Sequence, residues 1–118
     1  MDKKRILLVD DEESIQLLYR EEFEDEGYIV DSAYNGSEAL AKFRENPPDL
    51  VVLDINMPGM NGIEVLRQMK ELQANLPVIL SSAYQEYKQD FGSWASEAYV
   101  VKSANMDELK ATVRKYLG

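Results

Sequence analysis

Short apolar runs alternate along the chain with longer segments of mixed polarity. Four of these runs consist entirely of Ile, Leu, Val and Tyr, and they occupy residues 6–9, 50–53, 78–80 and 99–101. Such runs are typical of strands buried on both faces, as in a parallel sheet. A weaker alternation over 28–33 predicts one more strand, second in chain order. The pattern therefore predicts five strands.

The segments between the strands carry apolar residues at helical spacing and predict helices over 13–26, 38–45, 63–72 and 106–117. Gly27 and Pro47 follow the first two of these, as expected at helix ends. A further helix is expected within 85–96, although its periodicity is poor. The apolar positions at helical spacing are Ile15, Leu18, Tyr19, Phe23, Ile63, Val65, Leu66 and Met69, and the positions predicted to face inward are Ala39, Leu40, Phe43, Leu109, Val113 and Leu117. Some of Ile15, Leu17 and Leu18 could instead contact a partner, although for Leu18 an inward position in the core is the favoured prediction.

This order of elements predicts an α/β fold of five βα units, (βα)5. Right-handed crossovers then place helices on both faces of a five-stranded parallel sheet. No linker, internal repeat or low-complexity tract interrupts the pattern. We therefore expect residues 1–118 to form a single domain with one core.

Polar residues follow the predicted strands directly. Asp10 and Asp11 come after the first strand and Asp54 after the third, while Ser82 and Lys102 come after the fourth and fifth. Ligands of open parallel sheets bind outside the carboxyl ends of the strands. Three carboxylates gathered there would repel one another without a cation. Because oxygen ligands favour Mg²⁺, the sequence predicts a magnesium site at this edge.

Each of these residues also has an ordinary structural explanation. An Asp between a strand and a helix can cap that helix, which stabilises it by about 1 kcal/mol. A Lys at a strand end is commonly only solvated. Ser81 offers the same hydroxyl as Ser82, and strand alternation would point the two hydroxyls to opposite sides of the sheet. Residue type alone does not choose between these two serines.

Composition narrows the possible functions. The chain has 118 residues, with 22 acidic and 13 basic side chains and a net charge of −9. This charge argues against direct binding to nucleic acid and to anionic membranes.

No apolar run approaches the roughly 20 residues of a membrane span, and no signal peptide is visible, so we expect a cytoplasmic protein. His and Cys are both absent, which excludes a phosphohistidine on this chain and thiolate metal sites.

Four segments together resemble the receiver domain of bacterial two-component response regulators, the CheY-like family. They are ILLVDDE at 6–12, DINMPGMNG at 54–62, SA at 82–83 and YVVK at 99–102. The resemblance extends from Lys4 to Leu117. It implies the flavodoxin-like strand order 2-1-3-4-5 that is known from CheY.

The resemblance also implies a role for each residue in phosphoryl transfer. Asp54 would be the phosphoryl acceptor, Lys102 would pair with a phosphoryl oxygen, and the hydroxyl of Ser82 would donate to another. Ser82 and Tyr99 would form a switch, in which Tyr99 turns inward when Ser82 moves toward the phosphoryl group. A half-buried strand tyrosine is the alternative explanation for Tyr99.

The implied metal ion is Mg²⁺. Its ligands would be the side chains of Asp10, Asp11 and Asp54, with Asp10 often acting through water. The backbone carbonyl of Asn56 would complete the set. Glu12 is expected to be a solvated neighbour of this site.

The implied function is a signalling module that is switched by phosphorylation and is not an enzyme. A sensor histidine kinase or a histidine phosphotransfer protein would donate the phosphoryl group. A downstream effector would then bind the face that the family forms from its fourth helix, fifth strand and fifth helix.

Two other functions compete with this interpretation. A Mg²⁺-dependent phosphatase or phosphotransferase could use the same aspartyl nucleophile, but such enzymes usually place a second Asp where this chain has Asn56. A flavin-binding module would need a phosphate-binding loop after the first strand, where residues 10–12 are acidic and would repel a phosphate.

The chain departs from the family at two places. Ser103 stands where Pro usually follows the Lys, and a cis bond before a non-proline residue costs about 2.5–4 kcal/mol. The family's cis bond is therefore disfavoured here. The stretch from 82 to 102 is slightly short, which predicts a truncated, displaced or irregular fourth helix.

Overall fold

Five strands and four helices occupy the described part of the chain, which in this computed structural model comprises residues 3–54, 62–82, 98–102 and 106–117. None of these helices is long and apolar enough to cross a membrane. The helix expected within 85–96 and the bond after Lys102 lie outside the described residues. The strands are β1 (Arg5–Val9), β2 (Ile29–Ala33), β3 (Leu50–Asp54), β4 (Val78–Ser82) and β5 (Ala98–Val101), and the helices are α1 (Glu13–Asp25), α2 (Gly36–Glu45), α3 (Gly62–Leu72) and α4 (Asp107–Leu117).

The strands form one parallel sheet in the order β2-β1-β3-β4-β5. The α/β class and the parallel sheet are therefore confirmed. Leu53 of β3 pairs with Val9 of β1 on one side and with Leu80 of β4 on the other, so the carboxyl ends of these three strands lie level. The fivefold repeat of βα units stays a prediction, because the connection from β4 to β5 is outside the described ranges.

Apolar side chains cover both faces of the sheet. Leu7, Leu53 and Leu80 pack with residues of α2 and α3 on one face. Their neighbours Leu8 and Val52 pack with residues of α1 and α4 on the other face. Consecutive strand residues thus enter opposite cores, as the alternation of side chains along a strand requires. This two-sided burial explains why the strands appear in the sequence as unbroken apolar runs.

The inward face of α1 differs from the prediction. Gln16, Tyr19 and Phe23 are buried, whereas Leu18 is 38% exposed, so the inward assignment of Leu18 was wrong. The buried positions are separated by three and four residues and lie on one face of the helix. Leu18 is turned away from that face by about 100° relative to Tyr19, since a helix has 3.6 residues per turn.

The start of α2 is fixed by the side chain of Asn35. Oδ1 of Asn35 accepts a hydrogen bond of 2.8 Å from the backbone N–H of Glu38. This is the geometry of an N-cap, and it lets the helix begin two residues earlier than predicted, at Gly36.

Candidate functional site

The ammonium group of Lys102 bridges two buried carboxylates at the carboxyl edge of the sheet. Its Nζ lies 2.7 Å from Oδ2 of Asp10 and 3.3 Å from Oδ2 of Asp54. The side chains of Asp10 and Asp54 are 2% and 3% exposed, and that of Lys102 is 9% exposed. Three of the residues predicted to share a site therefore do lie together.

Strand register brings the two carboxylates side by side. Asp10 follows Val9, and Val9 pairs with Leu53, the residue before Asp54. The backbone N–H of Asp10 donates to the carbonyl of Ala33 over 3.0 Å, which ties the end of β1 to the end of β2. The position of both acids thus depends on backbone pairing within the sheet.

The protonation of Lys102 follows from its surroundings. Burial disfavours the charged ammonium and lowers its pKa, but the hydrogen bond that the ammonium donates to Asp10 and the negative charge of Asp54 outweigh this effect. The pKa of Lys102 is consequently raised above its ordinary value of 10.5. Lys102 is therefore a cation at neutral pH and offsets part of the negative charge at this edge.

A group of acidic side chains lies beside the bridge. Asp10, Asp11 and Glu12 offer carboxylate oxygens that all lie within 4.8 Å of one another. Oε1 of Glu12 is also 3.6 Å from Nζ of Lys102 and its side chain is 57% exposed, so Glu12 is a solvated neighbour of the site, as predicted. The carboxylates carry more negative charge than the ammonium of Lys102 offsets. This group could therefore bind a divalent cation that prefers oxygen ligands.

Asp10 has a second structural task. Its Oδ1 accepts a hydrogen bond of 2.9 Å from the backbone N–H of Glu12, while its Oδ2 contacts Lys102. Glu12 is itself the N-cap residue of α1 and makes no side-chain cap bond. Asp10 therefore orders the turn before the helix, and it does not bond to the N–H groups of the first turn as an N-cap would.

Gln16 supports the site and was missed by the sequence analysis. Its Nε2 donates to the carbonyl oxygens of Asp10 and Ala33 over 3.0 and 2.9 Å, and lies 3.3 Å from that of Leu8. The side chain is 2% exposed. A polar residue was not expected to face inward, although its spacing from Tyr19 is that of one helix face. Gln16 thus links the end of β1 to the end of β2 through the backbone carbonyls of Asp10 and Ala33.

The remaining predicted site residues are described only in part. Ser82 is the last residue of β4, and Tyr99 lies within β5, and for both only the backbone belongs to the described part of the chain. Asn56 lies outside the described residues. The switch pair and the carbonyl ligand therefore stay predictions.

Comparison with known proteins shows which family has these features. The family model for the response regulator receiver domain matches residues 6–114. Sporulation initiation phosphotransferase F of Bacillus subtilis is 40% identical over 99% of this chain and 96% of its own length. Other curated relatives are the regulatory protein AtoC of Escherichia coli and the transcriptional regulatory protein ResD of Bacillus subtilis, which are 37% and 39% identical over 96% and 98% of this chain. The chain spans only 25% and 49% of their lengths.

Solved structures give the same result. The response regulator protein TrrA of Thermotoga maritima, in complex with Mg(2+)-BeF, is 51% identical, with a TM-score of 0.91 over 97% of this chain and 99% of TrrA. The same protein in complex with the histidine kinase ThkA is 50% identical, with a TM-score of 0.89 over 98% of this chain and 99% of that one.

Proposed function

This chain belongs to the response regulator receiver domain family, and on that premise we propose that it accepts a phosphoryl group on Asp54 and signals through the change that follows. The observation that carries the proposal is the contact of Lys102 with both Asp10 and Asp54. It supplies a cation beside the acceptor carboxylate. The donor would be a phosphohistidine of a partner, since the chain has no His.

Asp54 is the proposed nucleophile. Its carboxylate oxygen attacks phosphorus in line, the bond from phosphorus to the partner's histidine breaks, and the electron pair stays on the leaving imidazole. Lys102 moves from the carboxylates to the phosphoryl oxygens and stabilises their charge. The hydroxyl of Ser82 donates to another of these oxygens, and Tyr99 responds by turning inward.

A divalent cation would be held by Asp10, Asp11 and Asp54, with the backbone carbonyl of Asn56. The clustered carboxylate oxygens fit an ion with oxygen ligands. The Mg(2+)-BeF complex of TrrA supports Mg²⁺ as this ion. When bound, Mg²⁺ would neutralise negative charge on the phosphoryl oxygens.

The donor is proposed to be a histidine kinase or a histidine phosphotransfer protein. Leu17 and Leu18 lie in the first turns of α1, the helix that follows the acidic residues 10–12, and are 62% and 38% exposed. Two exposed leucines on this helix would suit contact with an apolar helix of the donor. The complex of TrrA with ThkA supports this class of partner.

The output is proposed to be a changed binding face for an effector in the cytoplasm. This face would consist of β5, α4 and one further helix between β4 and β5. That further helix would complete five βα units in a single domain over 1–118. The chain would act as an acceptor and not as an enzyme, apart from self-phosphorylation from small donors and self-dephosphorylation.

Intact-mass spectrometry after incubation with acetyl phosphate tests the proposal. We expect one phosphoryl adduct that requires Mg²⁺ and is absent from Asp54→Asn. Asp31→Asn is the matched control, because Asp31 is a part-buried Asp of the same sheet that pairs with Arg5 at 2.9 Å, away from the site. An adduct that persists in Asp54→Asn would show that the acceptor is a different residue.

A further inference from the structure

We propose that the hydroxyl of Ser81 donates a hydrogen bond to the carboxyl group of Asp54 in the phosphorylated protein and thereby shortens the life of the aspartyl phosphate. The proposal rests on the phosphoryl acceptance proposed for Asp54. It adds a hydroxyl that the family resemblance does not assign. Ser82 keeps its expected role toward the phosphoryl oxygens.

Strand register makes Ser81 and Asp54 direct neighbours. The two residues are partners in the parallel pairing of β3 with β4. The preceding partners Val52 and Ile79 belong to the core under α1 and α4, so two residues further on the side chains point to that same face. Adjacent strands lie about 4.8 Å apart, a separation that a Ser hydroxyl and an Asp carboxyl can bridge with one hydrogen bond.

The hydroxyl of Ser81 is buried and has no hydrogen-bond partner among the residues that the structure describes. Ser81 is 2% exposed. A buried hydroxyl without a partner costs about 1–3 kcal/mol, and such groups are rare in folded proteins. Rotation about a single bond between staggered positions is enough to turn this hydroxyl toward Asp54.

Lys102 already contacts the carboxylate of Asp54 in this structure. Lys102 lies two residues beyond Val100, the register partner of Ser81, and its Nζ reaches Asp54 at 3.3 Å and Asp10 at 2.7 Å. A phosphoryl group on Asp54 would bring additional negative oxygens, which attract the ammonium more strongly than a shared carboxylate does. As Lys102 turns to those oxygens, Ser81 remains as a donor beside the carboxyl group.

A hydrogen bond from Ser81 to Asp54 would speed the hydrolysis of the aspartyl phosphate. The oxygen of water attacks phosphorus, the bond from phosphorus to the Asp54 oxygen breaks, and its electron pair remains on the carboxylate. The products are inorganic phosphate and free Asp54, and the proton of water passes to the phosphate or the solvent. Negative charge grows on the carboxylate during this step, so a donor at Ser81 stabilises the transition state.

The experiment compares Ser81→Ala with Ser32→Ala. Ser32 is a matched control, because it is a buried serine in β2 of the same sheet, 8% exposed, and its Oγ also lacks a partner in the described part of the chain. Each protein is loaded with acetyl phosphate and Mg²⁺, the donor is removed, and loss of the adduct is followed by intact mass. We expect the adduct of Ser81→Ala to live about three to ten times longer than that of the wild type, with no change in Ser32→Ala.

Infrared difference spectroscopy provides a second readout. A hydrogen bond lowers the stretching frequency of the acyl phosphate carbonyl, so the band should shift upward in Ser81→Ala and stay in place in Ser32→Ala. Thermal unfolding shows that both variants are folded, which we expect because each removes an unsatisfied buried hydroxyl.

Three results would count against the proposal in distinguishable ways. Equal lifetimes and an unmoved band in Ser81→Ala would overturn the role of Ser81 and leave phosphorylation of Asp54 intact. Equal lengthening in both variants would show a general loosening of the sheet. Absence of an adduct on the wild type would overturn the proposed function itself, and the role of Ser81 with it.

Discussion

Nζ of Lys102 donates to Oδ2 of Asp10 over 2.7 Å and so joins the residue after β5 to the residue after β1. Two strands, β3 and β4, lie between β1 and β5 in the sheet. The contact therefore spans the whole carboxyl edge that carries the candidate site. The ammonium of Lys102 places a positive charge among the buried carboxylates. It lowers the free-energy cost of burying them, because buried charges without a partner are costly.

Removing this cation should destabilise the fold. We expect Lys102→Met to lower the free energy of unfolding by about 3–5 kcal/mol without metal, since the buried carboxylates of Asp10 and Asp54 lose the cation that bridges them. Mg²⁺ should narrow the difference from the wild type, because it supplies the missing positive charge. Urea unfolding with EDTA and with Mg²⁺ measures both effects.

Lys110→Met is the matched control for that prediction. Nζ of Lys110 lies 3.2 Å from Oε1 of Glu22, with the two side chains 21% and 33% exposed. Such partly exposed pairs contribute about 0–1 kcal/mol. A similar loss of stability in both variants would mean that the burial of Lys102 has no special energetic consequence.

The contribution of Lys102 should depend on pH only in the alkaline range. A group whose pKa is raised by folding stabilises the protein fully below its unfolded pKa and loses this contribution as pH rises through the folded pKa. The pKa of Lys102 is raised above 10.5, so the difference in unfolding free energy between the wild type and Lys102→Met should be constant from about pH 7 to 10 and shrink above that. A difference that already shrinks between pH 7 and 9 would contradict the direction of this shift.

Gln16 should matter for both stability and phosphorylation. Gln16→Ala removes the donor to the buried carbonyls of Asp10 and Ala33, and we expect a loss of about 1–3 kcal/mol in urea unfolding. Phosphorylation by acetyl phosphate should slow as well, because Asp10 is held less firmly. The exposed Gln73, changed to Ala, should alter neither quantity.

Leu17 should affect phosphoryl transfer from a protein donor but not from a small-molecule donor. With a phosphorylated histidine kinase as the proposed donor, we expect Leu17→Ala to accept the phosphoryl group at least about fivefold more slowly, because an exposed apolar contact is lost. The rate with acetyl phosphate should be unchanged. Leu72→Ala, on α3 and 52% exposed, is the control. A slower reaction of Leu17→Ala with acetyl phosphate would indicate damage to the site itself.

Much of the fold could be predicted because its signals are local. The strands 6–9 and 50–53 are apolar throughout, since a parallel strand is buried on both faces. The meeting of Asp10, Asp54 and Lys102 followed from their places after strands, because the carboxyl ends of parallel strands share one edge. The buried face of α1 was harder to predict, since the apolar Leu17 and Leu18 are exposed while the polar Gln16 is buried.

The order of strands and helices along the chain, and the chemistry gathered at one edge of the sheet, could thus be predicted from the residues, because hydrophobic periodicity and strand-end residues are properties of single segments. The burial of Gln16 against the carbonyl of Asp10, and the pairing of Ser81 with Asp54, emerge only when the chain is folded. Both relationships depend on how segments distant in the chain are aligned. The register between β3 and β4 is set by packing across the whole sheet, which no single segment of the sequence records.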